Sequence, residues 1–193
     1  MNERALVLRG APDDRPQLEQ INQVVAEMLG KNGFGYSYVH SESMDDDTTV
    51  HKWFGDHRGE LLKLVDDVRL PARYFLIESS SEPRAAAVAD YLRAALPVVP
   101  LSELRQEAAA HAADSPGALV RLALGAEGTF DAESAQVIKA ALRHLATDVR
   151  RSAAMAAALL GWPEMSTALA DANERERDPD VQRLLEYALA KSE

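Results

Sequence analysis

The chain changes its hydrophobic period once, at Pro97-Val98-Val99-Pro100-Leu101, and no other feature limits its folding choices as much. Before that segment, short β-branched or aromatic runs alternate with longer amphipathic ones, which is the pattern of an α/β unit. After it, strand signals vanish and alanine-rich stretches of helix formers follow one another across short turns. The expectation is an α/β domain over residues 1–100 and an all-helical domain over residues 101–193.

Within the first part, Ala5-Leu6-Val7-Leu8 reads as a strand, and Gly10-Ala11-Pro12-Asp13-Asp14 as a turn and helix cap, with Pro16 suited to the first helical turn. Leu18, Ile21, Val24, Val25, Met28 and Leu29 recur at helical spacing until Gly30 and Asn32-Gly33. Phe34 to His40 alternates as a second strand, with Gly35 marking a bulge. Asp45-Asp46-Asp47 reads as a solvated loop or the acidic start of a helix, and Val50 to Val68 as a helix interrupted at Gly55 and Gly59. Arg73 to Glu78 is a third strand, Ser79-Ser80-Ser81-Glu82-Pro83 caps a further helix, and Val98-Val99 is a short fourth strand. The order β-α-β-α-β-α-β predicts a small, largely parallel sheet covered by helices. Six helical segments, 102–113, 116–124, 131–146, 148–160, 163–173 and 178–190, make the second part roughly three hairpins.

Composition narrows the function classes. With no cysteine among 193 residues, disulfides, thiol nucleophiles and thiolate metal sites are excluded. The net charge of -10 is spread evenly, with 11 basic and 16 acidic residues before position 101 and 10 and 15 after it. Such a surface repels phosphate backbones, so nucleic acid is not an expected partner, whereas a basic protein is attracted and its association rate gains most. The longest apolar stretch, Ser152 to Trp162, is too short to span a bilayer, and Met1-Asn2-Glu3-Arg4 leads into a strand without a signal-peptide core. A cytoplasmic protein that does not engage membranes is expected.

The last third contains an internal echo. Asp148-Val149-Arg150-Arg151 opens an alanine-rich helix through Gly161, Pro163 and Leu169 follow, and Asp178-Pro179-Asp180-Val181 restarts the pattern 30 residues on. This resembles the HEAT-repeat family of α-solenoids over about residues 131–193, with Ala118 to Gly125 as a degenerate earlier unit. It departs from the family in its spacing, shorter than about 40 residues, in Gln182 at the expected arginine position, and in the missing second helix of the final repeat. The aspartate would cap each helix and the small alanines would let helices approach closely. What the resemblance implies is recognition through an extended helical surface; it names no ligand.

Candidate chemistry is sparse. In a parallel sheet the ligand side is the carboxyl ends of the strands, which draws attention to Gly10 and Asp13, His40 and Ser41, and Glu78 and Ser79. His40 and Glu78 are the candidate catalytic pair, as base and orienting carboxylate; the plainer reading makes them a polar strand end and a solvated or capping group. Ser79-Ser80-Ser81 is either an anion site at a helix start or simply an N-cap. No Gly-x-Gly-x-x-Gly, Gly-Lys-Ser/Thr or Gly-x-Ser-x-Gly motif occurs, and Gly33-Phe34-Gly35 precedes a strand, not a helix. His51 and His57 near Asp45–Asp47 and Asp56 lack the spacing of a metal pair, and His111 and His144 have no partner cluster, so no metal or cofactor is expected. Trp53, Phe54 and Trp162 are the candidate aromatic anchors for a partner, alongside Arg150 and Arg151, with core packing or internal contacts as their plainer roles.

Two function classes follow. The first is an interaction protein, an adaptor or inhibitor, in its sharpest form an immunity-type protein that occludes a basic toxin or nuclease. The second is a small α/β enzyme with its site near His40 and Glu78. A DNA-holding role, as in HEAT-like DNA glycosylases, is disfavoured by the charge. Oligomeric state is left open.

Overall fold

In the computed structural model the described residues are 2–9, 18–68, 70, 72–115, 117–126 and 129–192. The expected turn at Gly10–Asp14 and Pro16, like the helix start at Pro116, lies outside them. The chain divides into two compact units, Met1–Val99 and Pro100–Glu193.

The first unit contains β1 (Asn2–Val7), α1 (Leu18–Asn32), β2 (Tyr36–Asp45), β3 (Thr48–Gly55), β4 (Leu61–Asp67), β5 (Ala72–Ser79) and α2 (Glu82–Ala95). Its five strands form one sheet in the order β1-β5-β4-β3-β2 with every neighbouring pair antiparallel. The expected parallel β-α-β-α-β-α-β arrangement is therefore corrected to β-α-β-β-β-β-α. The decisive segment is 50–68, which is two strands and not a helix. Gly59, at φ +84, turns the chain between β3 and β4 in a conformation an L side chain resists. Gly55 N–H donates to Glu60 O at 3.0 Å and closes that turn. Parallel neighbours need a crossover of about a dozen residues or more, which the tight Asp46-Asp47 and Asp56–Glu60 turns do not supply. The proposed fourth strand at Val98-Val99 reduces to a single antiparallel bridge between Val98 and Leu8.

Side chains two apart along a strand share a face. In register, Trp53 lies opposite Leu62, which faces Ile77, and His51 lies opposite Leu64, which faces Phe75. Trp53, Leu62, Leu64, Phe75 and Ile77 pack with Ile21, Val25 and Met28 of α1 and Ala85, Val88, Ala89 and Leu92 of α2 in one core. At one end of that core, buried Glu60 in the β3–β4 turn accepts from Arg84 of α2, whose guanidinium also lies 4.7 Å from the Phe34 ring centre. Burial beside Glu60 pushes the Tyr36 hydroxyl up to about 12.

The second unit contains α3 (Leu101–His111), α4 (Gly117–Gly125), α5 (Ala132–Ala141), α6 (Thr147–Leu160), a 3-10 turn (Pro163–Met165), α7 (Ser166–Arg175) and α8 (Pro179–Lys191). Helix α6 packs against α4, α5 and α8. Its Ala153, Ala154, Ala156 and Ala157 are buried, and side chains this small permit close approach of several neighbours at once. Gly161, at φ +56, ends α6 in the left-handed conformation that favours glycine. Asp178 caps α8 by accepting from the Asp180 and Val181 amides at 3.0 and 3.1 Å. Asp148 does not cap α6: the N-cap is Ala146, and Asp148 sits in the first turn, paired at 2.7 Å with Arg151. Helix α5 stops at Ala141, short of the expected Ala146, because the carbonyls of His144 and Leu145 turn to accept from Arg150 at 3.1 and 2.8 Å.

Candidate functional site

The antiparallel sheet removes the common carboxyl edge on which the expected catalytic pair depended. His40 is exposed on β2, opposite Lys52, while Glu78 lies on β5, opposite Leu61 and Glu3. With β3 and β4 between them, the two strands are three ladder steps, about 14 Å, apart. Glu78 is instead ion-paired with Lys63 on the neighbouring strand. His40 and Glu78 therefore do not form a site. Gly10 and Asp13 lie outside the described residues. Ser79 is buried, with its hydroxyl accepting from the Ser81 amide at 3.1 Å, and Ser81 occupies the N-cap position of α2 without a side-chain bond.

What the sheet does bring together is a polar cluster absent from the sequence-based expectations. Ser41 lies opposite His51 across the β2–β3 ladder, and its hydroxyl is 2.6 Å from His51 Nδ1 and 2.6 Å from the Tyr38 hydroxyl. His51 Nε2 is 3.7 Å from Asp66 Oδ2, and Asp66 accepts two bonds from Arg73, at 2.5 and 2.7 Å. The array contains the residue types of a nucleophilic triad, but 3.7 Å is beyond a hydrogen bond and the bidentate arginine engages both Asp66 oxygens. Its chemistry is that of a clamp across four strands. Only the strand reading of 48–55 places Ser41 and His51 side by side, so a helix assignment there conceals the cluster.

Burial holds His51 below its ordinary value, against the opposing pull of the Asp66 charge, and Arg73 adds to the depression. The unfolded chain thus takes up the proton first, and this group's contribution to stability is lost as pH falls below about 6.5. Hydrogen exchange of β3 and β4 amides is expected to accelerate as pH is lowered from 7 toward 5, after correction for the intrinsic pH dependence, and to lose this component in His51→Gln. Equal protection in the parent chain across that range is the contrary result.

The candidate partner-binding residues occupy different surroundings. Trp53 is 1% exposed, donates through Nε1 to Asn22 Oδ1 at 2.9 Å, and packs against the rings of Tyr38 and Phe75. Phe54, next in sequence, is 49% exposed. Trp162 is 5% exposed and meets Phe130 edge to face at 5.2 Å between centres. Arg150 is committed internally, donating to both oxygens of buried Glu176 and to two backbone carbonyls. Arg151 is half-exposed beside Asp148. Phe54 and Arg151 are therefore the members of the set that a partner can reach.

The surface feature that the sequence reading passed over is the β2–β3 hairpin. β2 is ten residues long, nine of them exposed, and it is the last strand of the sheet. The ladder shifts register around Val39 and Met44, both exposed. Such bulges re-aim side chains and blunt an edge against indiscriminate pairing. The turn beyond β2 is Asp46-Asp47, which makes Asp45-Asp46-Asp47 the tip of the hairpin and not a helix start.

Among the described residues no three His, Asp or Glu side chains converge as a metal-ligand set, and no helix is long and apolar enough to cross a membrane. Comparison of the chain with protein-family models, with curated proteins and with solved structures finds no match.

Proposed function

We propose that the protein works by binding another protein, as an adaptor or inhibitor of a basic partner, and that the β2–β3 hairpin is the docking element. The observation that carries this reading is the hairpin's composition. Exposed Met44 stands beside the Asp45-Asp46-Asp47 tip, and Val39 and Phe54 are exposed farther along the same two strands, so one hairpin carries both apolar side chains and a concentration of negative charge. Apolar side chains supply the buried core of an interface, and the carboxylates steer a cationic partner and fix its orientation. The overall charge of -10 acts in the same direction at longer range. The resemblance of residues 131–193 to HEAT repeats adds support, because such modules serve recognition. An immunity-type inhibitor of a basic toxin or nuclease is the sharpest form of the proposal.

The test uses the tagged full chain in its native host beside a variant with Asp45, Asp46 and Asp47 changed to serine and Met44 to serine. All four positions are at the surface or partly so, and the variant should fold. A basic protein recovered in stoichiometric amount with the parent, lost with the variant, and associating more slowly as salt is added supports the proposal. Failure of basic candidates to bind, or equal recovery by parent and variant, refutes it.

A further inference from the structure

The second unit contains a cavity of about 320 Å³ between the α5–α6 loop and the α7–α8 loop, lined in part by Arg143, His144, Arg150, Arg175, Glu176 and Arg177. Four arginines and one glutamate are among its lining residues, in a chain whose net charge is -10. The carboxylate is already used. Glu176 Oε2 accepts from Arg150 at 2.7 Å, and Oε1 accepts from Arg150 at 2.9 Å and from the Arg177 and Asp178 amides at 2.9 and 3.0 Å. Those bonds, the Arg150 side chain foremost, hold Glu176 ionised, down at about 2. Glu176 thus balances Arg150 alone.

Arg143, Arg175 and Arg177 are exposed at the cavity, and among the described residues none of the three makes an ion pair. Gathering three uncompensated cations around one hollow is unfavourable for the isolated fold, and an anion reverses the sign of that term. The walls are also fixed before any ligand arrives. Arg150 ties down the His144 and Leu145 carbonyls of one loop, while Glu176 ties down the Arg177 and Asp178 amides of the other. His144 Nδ1 accepts from the Ala146 amide at 3.1 Å, which leaves its Nε2 as the donor. Planar guanidinium forks bind oxygens in pairs, and the volume lies in the range of small-ligand pockets.

We infer that this cavity binds a compact, multiply charged oxyanion, a small molecule carrying phosphate or carboxylate groups, held by Arg143, Arg175 and Arg177. A long polyphosphate backbone is a poorer fit, since Glu174 and Asp178 alternate with these arginines along the chain and the surrounding protein is acidic.

Calorimetric titration of the full chain with inorganic pyrophosphate and, separately, with citrate tests the inference. Saturable one-to-one binding of at least one is expected: pyrophosphate alone marks a phosphate site, and citrate alone a polycarboxylate site. The double variant Arg143→Gln and Arg177→Gln is expected to bind about tenfold more weakly or worse. Its melting temperature without ligand should be no lower than the parent's, since both side chains are exposed and their removal relieves like-charge repulsion, and Arg151→Gln, outside the cavity, should bind like the parent. Absence of saturable binding by both anions, or equal binding by the double variant, overturns the assignment. Tighter binding of a short DNA duplex than of either small anion overturns it as well.

Discussion

Replacing Trp53 with alanine is expected to destabilise the Met1–Val99 unit by about 4 kcal/mol, the usual cost of deleting a large buried aromatic side chain. The indole is 1% exposed, fills the centre of the core between Leu62, Tyr38 and Phe75, and carries its own hydrogen bond to Asn22. Its removal leaves a cavity and an unpaired amide oxygen on α1. The neighbouring Phe54→Ala change removes a ring of which about half is already in water, and should stay within about 0.5 kcal/mol. Amide exchange under denaturant, read on β4 and β5, measures both. Equal losses for the two variants would mean that the core does not lie on the Trp53 face of β3.

Glu176→Gln is the second large effect, a loss of about 3 kcal/mol in the helical unit. Glu176 is 5% exposed and accepts four hydrogen bonds, two of them from Arg150. Glutamine retains the shape but turns one acceptor into a donor facing a guanidinium, leaving a partly buried cation without its counter-charge. Trp162 is the tryptophan of that unit, so its fluorescence against denaturant reads the loss directly. Acid acts on the same pair. Glu176 is held well below its ordinary value of 4.5, so its contribution is complete above that value and is lost as pH falls toward about 2. The window lies below that of His51, and the two units should respond to acid in sequence, the sheet unit first.

The difference between Trp53 and Phe54 also marks how far the chain's own pattern could be read. An apolar pair of adjacent residues must split between two faces in a strand, and which face is buried depends on which side α1 and α2 occupy. The same holds for 50–68. Val50, Trp53, Leu61, Leu62, Leu64 and Val65 fit a helical stripe, yet the β-branched and aromatic residues between Thr48 and Phe54 and the alternation of Leu62 and Leu64 fit strands equally well. Pairing with β2 and β5 decided between them, and pairing is not encoded within the segment itself. The candidate pair His40 and Glu78 failed with the same assignment, because their meeting required parallel strands. The Ser41–His51–Asp66–Arg73 clamp and the exposed hairpin tip appeared only once the antiparallel register was known.

In the helical unit more was legible, and for a local reason. The stop at Gly161 and the cap at Asp178 depend on residues within one turn of the helix end, where backbone conformation and a single side-chain bond suffice. Asp148 misled because Thr147 adds one residue to α6 ahead of it. Arg150 was recognised as a special position, but whether it faces a partner or Glu176 is set by where the α7–α8 loop returns, 26 residues later. The break at Pro97–Leu101, the Gly161 stop, the Asp178 cap, the lack of cysteine and the acidic charge were determined by the sequence by itself, because each is a property of residues close together in the chain or of their sum. Strand direction, the burial of Trp53 beside exposed Phe54, the His51 clamp and the arginine-lined cavity were decided only by tertiary structure, because each depends on contacts between segments distant in sequence.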